Sequence, residues 1–434
     1  MDNFRKPLIY FIIILILAIY TSFIFIDSGI DTYFFTISIA SFFYLLACLL
    51  ISKVDVKLNE IIWIAFAFLL IKIVAIGIEP IGSDDYFRYL WDGKVLVNGI
   101  NPFQYAPNSE ALNYLHSDLL PSEVTYPHIK TIYFPLSQAA FALAYLIGGE
   151  SVWGLKIIIL FSDIFLTIGL FFLLKKKKID FKYVLIYILS PLIFYQFFID
   201  AHIDLLGICF FLFSIYFLDD RKILSSIFLG ASLMVKPTFI IALPILFFYE
   251  KEIFSKLNRF IIPLILLAIS FIPFSFSANP FDTLINYSRH WSFNGAGYNV
   301  LTNFLDDTFT IRIILLILFL LTYFLLLKYS RNVIASFYYS LMFFLLLSPV
   351  VHPWYAAWLI VLLVIYPKLS GITYVSLISL TFYTVMIYQT EGDWRENNII
   401  LFIEYLPVIL LLFYEFLISA NNKIPGKHLM YKIK

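Results

Sequence analysis

The chain alternates long apolar runs with short polar breaks. Residues 8–26, 33–51 and 61–78 are the first three runs, each close to 20 residues and almost free of charge. A helix of about 20 residues spans the ~30 Å hydrocarbon core of a bilayer. Backbone polar groups in lipid must be satisfied internally, so these runs predict transmembrane helices. Further spans are read at 152–174, 183–199, 203–218, 260–276, 312–329, 334–349, 354–366, 371–390 and 399–419. Two stretches are ambiguous by hydropathy. Residues 131–148 are apolar enough to cross, and 223–249 fit either one long helix or a hairpin broken at Lys236-Pro237.

Positive charge decides both, because Lys and Arg collect on the cytoplasmic side. Arg5-Lys6 precedes the first run and no small-residue cleavage site follows it, which predicts a retained helix. The loop Lys53–Lys57 is then cytoplasmic, and the third run delivers residues 79–151 to the outer face. A crossing at 131–148 would put Lys175–Lys178 outside; a surface or re-entrant segment keeps them inside. By the same reasoning 223–249 is a hairpin, since one long helix would expose Lys251, Lys256 and Arg259. Its arms, near 13 residues or ~20 Å, are short for a bilayer but tolerable when packed in protein. Lys72 lies inside the third run and either snorkels outward or faces the bundle.

The expectation is a single all-α polytopic membrane domain over 1–434, with roughly fourteen crossings. Both termini are cytoplasmic, the second through the lysine-bearing tail from Asn421, and 277–311 forms a second outer loop. No internal repeat is evident. Composition agrees: 62% hydrophobic and 14% charged residues exclude a soluble protein. The net charge of +1 by itself says nothing about nucleic acid, which is not an expected partner. Cys48 and Cys209 both sit inside apolar runs, against a disulfide framework.

Charge is concentrated once in the first outer loop, in Gly82-Ser-Asp84-Asp85-Tyr-Phe-Arg88-Tyr-Leu-Trp-Asp92-Gly93. On a helix, Asp84, Arg88, Asp92 and Asp85 fall at roughly 0°, 40°, 80° and 100°, with Phe87, Trp91, Leu90 and Tyr86 opposite. That predicts an amphipathic helix over 84–96 on the membrane surface, closed by the turn residues Gly93 and Gly99-Ile-Asn-Pro102. Helix capping by Ser83, dipole-favoured acids and an Asp84–Arg88 pair explain part of the pattern without function. They leave unexplained why such a helix stands at the mouth of a membrane bundle.

Asp-Asp-x-x-Arg-Tyr-x-Trp-Asp-Gly, then Gly-x-Asn-Pro-Phe, then Ile-Tyr133-Phe-Pro-Leu resembles the first outer loop of GT-C glycosyltransferases, nearest to bacterial membrane mannosyltransferases. The resemblance implies a GT-C-like bundle of about 12–14 transmembrane helices, with juxtamembrane helices in that loop. It also implies transfer of a sugar, mannose, from a polyprenyl-phosphate carrier to a hydroxyl of a lipid or glycan acceptor. The site would lie on the extracytoplasmic face of the cytoplasmic membrane, with Asp84 or Asp85 as catalytic base. The family often places Lys-Pro at the outer turn that Lys236 occupies here. Both leading spans are extra to the usual pattern.

The other polar groups expected on that face are Asp200, His202, Asp204, Lys236, Arg289-His290 and His352. An acceptor hydroxyl needs a carboxylate to take its proton, and a lipid phosphate leaving group needs positive charge. Arg88, Asp92, Tyr133, His202, Lys236, Arg289 and His352 are the candidates for donor binding. Lys236 in mid-span would cost about 2.5–3.5 kcal/mol, so it reaches the surface or has a negative partner. Asp200-x-His202-x-Asp204 is a loose signature for a divalent metal, or a polar turn only. The rival classes are a transporter or lipid-carrier flippase, which would carry midplane charges and related halves, and a noncatalytic scaffold or polymerase.

Overall fold

Helices stand at the expected runs in a computed structural model that describes residues 2–26, 29–330 and 332–421. The lysine-bearing tail lies outside the described residues. In chain order the helices are α1 (Asp2–Phe25), α2 (Ile30–Ile51), α3 (Leu58–Val74), α4 (Asp85–Val97), α5 (Pro135–Gly148), α6 (Trp153–Lys177), α7 (Leu185–Ile188), α8 (Pro191–Ile193), α9 (Asp204–Tyr216) and α10 (Lys222–Val235). They continue as α11 (Ala242–Tyr249), α12 (Ile253–Ser275), α13 (Asp282–His290), α14 (Ala296–Leu301), α15 (Thr308–Tyr329), α16 (Val333–Leu347), α17 (Pro353–Ile365), α18 (Leu369–Leu377), α19 (Phe382–Glu391) and α20 (Asn398–Asn421). Among the described residues eight helical segments are long and apolar enough to cross a membrane, nine if the bent pair over 181–199 counts as one. The protein is an all-α polytopic membrane protein.

Residues 223–249 form the hairpin that positive charge predicts. Lys236 is extended (φ −154°, ψ 134°) and Pro237 opens a 3-10 turn into α11. Both ends meet, because Lys222 Nζ lies 2.5 Å from Glu250 Oε2 and Arg259 NH2 lies 3.0 Å from Glu250 Oε1. Lys176–Asp220 and Lys177–Asp219 pairs, each at 2.6 Å, occupy this same lysine-rich end of the bundle. Lys72 turns inward: its Nζ is 2.7 Å from Asp163 Oδ1 in α6, and Tyr187 donates to the same oxygen. A charge removed from water persists there because it is paired and hydrogen-bonded.

Two expectations need correction. The run 183–199 is not one straight span, since its two halves meet at 48°. Pro191 has no N–H to continue the helical ladder, and Ser190 Oγ caps the new start at Ile193 N. Nor does the 84–96 helix lie with all of its acids in water. Asp92 is 2% exposed and accepts from Gln138 Nε2 at 3.0 Å, because α5 covers that face. Gly93 ends nothing; it lies within α4, where a Cβ would stand 2.3 Å from the carbonyl oxygen of Phe141. Only glycine lets the two backbones touch there.

Candidate active site

The turn that launches the acidic pair is held from far along the chain. Asp200, fully buried, accepts from Gly82 N (2.8 Å) and Ile81 N (3.3 Å) through Oδ1. Its Oδ2 takes Tyr33 Oη (2.5 Å) and Gln196 Nε2 (3.4 Å). Gly82 fits because a side chain would collide with Asp200 Oδ2 and the Tyr33 ring, both 2.7 Å from an added Cβ. Asp200 follows a π-helical turn, Phe194–Ile199, and precedes Ala201 at φ +61°. Wide turns of this kind re-aim side chains. Here they send Asp200 to the loop before the acids and His202 to the helix after them.

His202 Nδ1 lies 3.2 Å from Tyr89 Oη and 3.8 Å from Asp85 Oδ2, and Tyr89 Oη lies 3.5 Å from the same carboxylate oxygen. The His202 ring stacks on Trp354 at 3.7 Å, and His352 stacks on the same indole at 4.4 Å. His352 is held by a short bridge between loops, with Phe293 N donating to Pro349 O (3.0 Å) and Val351 N to Phe293 O (2.7 Å). Asp204 turns the third way: its Oδ1 accepts from Lys236 Nζ (2.7 Å) and Trp358 Nε1 (3.0 Å). The Lys236 ammonium also sits 3.8 Å above the Tyr355 ring.

The two acids differ. Asp84 is exposed, and Thr125 Oγ1 donates to it. The Asp85 side chain is about one-third exposed (34%), facing His202 on one side. Burial and then the neighbouring Asp84 push its pKa up to about 7, while Lys236 pulls the other way. Burial and the charge of Lys236 hold His202 and His352 well below the usual imidazole range, so both are neutral.

Asp85, His202, Lys236 and His352 share one neighbourhood, and Tyr133 joins it through an edge contact with Tyr89 at 5.0 Å. Arg88 is turned away; it donates to the carbonyls of Thr125 (3.2 Å), Tyr126 (2.9 Å) and Ile129 (2.9 Å), and braces the loop. Asp92 is enclosed between α4 and α5. Arg289 is exposed on α13 and bonds to none of these groups. The Asp200–His202–Asp204 triplet does not converge, because its members point to three different partners. Among the described residues no group of three His, Cys, Asp or Glu could hold a metal ion. Tyr89, Trp354 and Tyr355 lie inside motifs visible in the sequence, but Tyr33, Thr125, Gln196 and Trp358 carry no signal there.

The arrangement offers a carboxylate near neutrality beside a cation already balanced by a second acid. That suits proton abstraction from a hydroxyl next to a bound anion. No curated protein and no solved structure matches the chain. A family profile described as alpha-(1→6)-mannopyranosyltransferase, N-terminal domain, matches residues 30–250, and one described as MptB C-terminal domain matches 297–414. With the first match alone covering half of the chain, this membrane protein belongs to the MptA/MptB alpha-(1→6)-mannopyranosyltransferase family.

Proposed function

We propose that the protein is an inverting GT-C-type mannosyltransferase that takes mannose from a polyprenyl-phosphate carrier. The acceptor is a hydroxyl of a lipid- or glycan-linked sugar. Asp85 accepts the hydroxyl proton as oxygen attacks the anomeric carbon, and the bond from that carbon to the carrier phosphate breaks. The electron pair leaves with the phosphate, whose charge meets Lys236. Asp85 is assigned as the base because its pKa, pushed up to about 7, lies near the operating pH, where a base works best, and because it faces His202. Attack opposite the departing phosphate turns a β-linked donor into an α-linked product, in keeping with the family's description.

The observation that carries this reading is Asp85 beside His202, with Lys236 on Asp204 in the same neighbourhood, at the end of the bundle away from the lysine-rich pairs. Positive charge stays on the cytoplasmic side, so the site faces outward from the cytoplasmic membrane, and both termini are cytoplasmic. The test is transfer of labelled mannose from polyprenyl phosphate to a crude glycan and lipid extract by purified protein in nanodiscs. Asp85→Asn should lose about 10²–10⁴-fold in rate, and Asp84→Asn less. Wild-type protein that forms no new glycosidic bond, or that only moves the labelled carrier across the bilayer, overturns the proposal.

A further inference from the structure

Beside the acidic pair stands a set of aromatic rings that the transfer chemistry does not use. Tyr126 is half exposed (50%) and takes φ +54°, a conformation that L side chains rarely adopt. It is kept there by Arg88, whose guanidinium bonds the carbonyls of Thr125, Tyr126 and Ile129. Strain held in place by its surroundings marks functional segments. The preceding residue, Thr125, donates its hydroxyl to Asp84, so the ring is one residue from the acids. Trp291 meets Tyr126 edge-on at 4.9 Å and 81°, and stacks on Tyr287 at 5.2 Å and 22°. A second arginine fixes that side: Arg312 donates to Trp291 O (2.7 Å) and Ser288 O (3.2 Å). The helix that carries Tyr287, α13, has no buried residue.

We propose that Tyr126, Trp291 and Tyr287 form a subsite that holds a neutral hexose of the acceptor glycan, next to the sugar whose hydroxyl Asp85 deprotonates. This rests on the transferase reading above and deepens it. A pyranose presents an apolar C–H face and a hydroxyl rim. Tyr and Trp rings match it with a flat apolar body and a polar edge. Tyr and Trp at a membrane surface also anchor singly among lipid headgroups. Here instead Trp291 contacts both tyrosines, the rings rest on backbone fixed by two arginines, and Tyr126 follows the Thr125 that donates to Asp84. The acceptor is thus a glycan of at least two residues, and a monosaccharide leaves the subsite empty.

The experiment uses the full-length protein in nanodiscs, with α-(1→6)-linked mannotriose and mannose as acceptor probes. Binding of labelled mannotriose is measured directly, and transfer kinetics are measured separately. Trp291→Ala should weaken mannotriose binding and raise its KM about tenfold, the effect of losing one ring contact. The donor KM and the rate at saturating acceptor should stay, and Trp291→Phe should keep most of the affinity. An unchanged acceptor KM overturns the subsite. So does an equal loss for donor and acceptor, which makes Trp291 a headgroup anchor. If wild-type protein transfers no mannose, the transferase reading fails, while the binding titration still decides this one: mannotriose bound equally by wild type and Trp291→Ala refutes it.

Discussion

Asp85 is less comfortable as a charged group in the fold than it would be in water. Its carboxyl titrates near 7 in the fold against an ordinary value of 3.8, so ionising it costs the folded state. The sign follows: the stabilisation of the protonated form is complete below about pH 4 and is lost as pH rises through about 7. Asp85→Asn, fixed in the neutral form, should therefore gain in Tm over wild type across that interval and hold the gain above it. Transfer by wild type should rise with an apparent pKa near 7, and that limb should vanish in Asp85→Asn. A rate independent of pH from 5 to 8 would remove Asp85 from the role of base. Lys236 invites a companion experiment, since its ammonium is held by Asp204 rather than by solvent. Lys236→Met should raise the donor KM at least tenfold and leave Asp204 buried without its ion pair, whereas Lys236→Arg should keep part of the affinity. Donor affinity untouched in Lys236→Met would mean that the lysine serves only to neutralise Asp204. At this scale the sequence displays the acids and the lysine as residue types. It does not display that Asp85 meets a histidine 117 positions away, nor that both histidines are neutral, because burial is created by distant segments.

The elements were legible where hydropathy or charge speaks and obscure where a backbone irregularity does. Charge asymmetry gave the α10–α11 hairpin, whose closing Lys222–Glu250 pair stands in the structure. Apolar content could not report the bend at Pro191, since both halves of 181–199 are equally apolar. It was equally silent on the π-helical turn that separates the aims of Asp200, His202 and Asp204, whose spacing reads as a loose metal signature or as a polar turn only. The turn 200–202 emerges as a positioning device, with Asp200 holding the backbone of Ile81 and Gly82 ahead of the acids. Asp200→Asn keeps the shape but weakens those charge-assisted bonds. It should lower kcat about tenfold and shift the pH limb, with the donor KM unchanged. Normal kcat with a normal pH profile would reduce Asp200 to a packing residue.

Across the whole molecule, the helices differ in length according to where they stand. The lipid-facing helices α1, α2, α6, α12, α15 and α20 have 22–25 residues, while α9, α10, α16 and α17 near the centre have 13–15. The sequence shows this difference in run length, but not which helices are central, because every run is apolar. Gly230 in α10 packs against Pro263 and Leu266 in α12, which places Lys236 roughly 5–9 Å short of the end of α12 along the helix axis. Lys236 thus lies deeper in the bundle than the end of α12. On the proposed reading a carrier phosphate reaches that depth to meet the lysine, and a thinner bilayer lowers it part of the way. Enzyme reconstituted in lipids of increasing acyl length should show a steadily rising donor KM at constant headgroup composition. A donor KM indifferent to acyl length would mean that the carrier reaches Lys236 without bringing its anchoring membrane down with it. A rising donor KM would make membrane thickness, set by the cell rather than by the protein, a control on the proposed transfer.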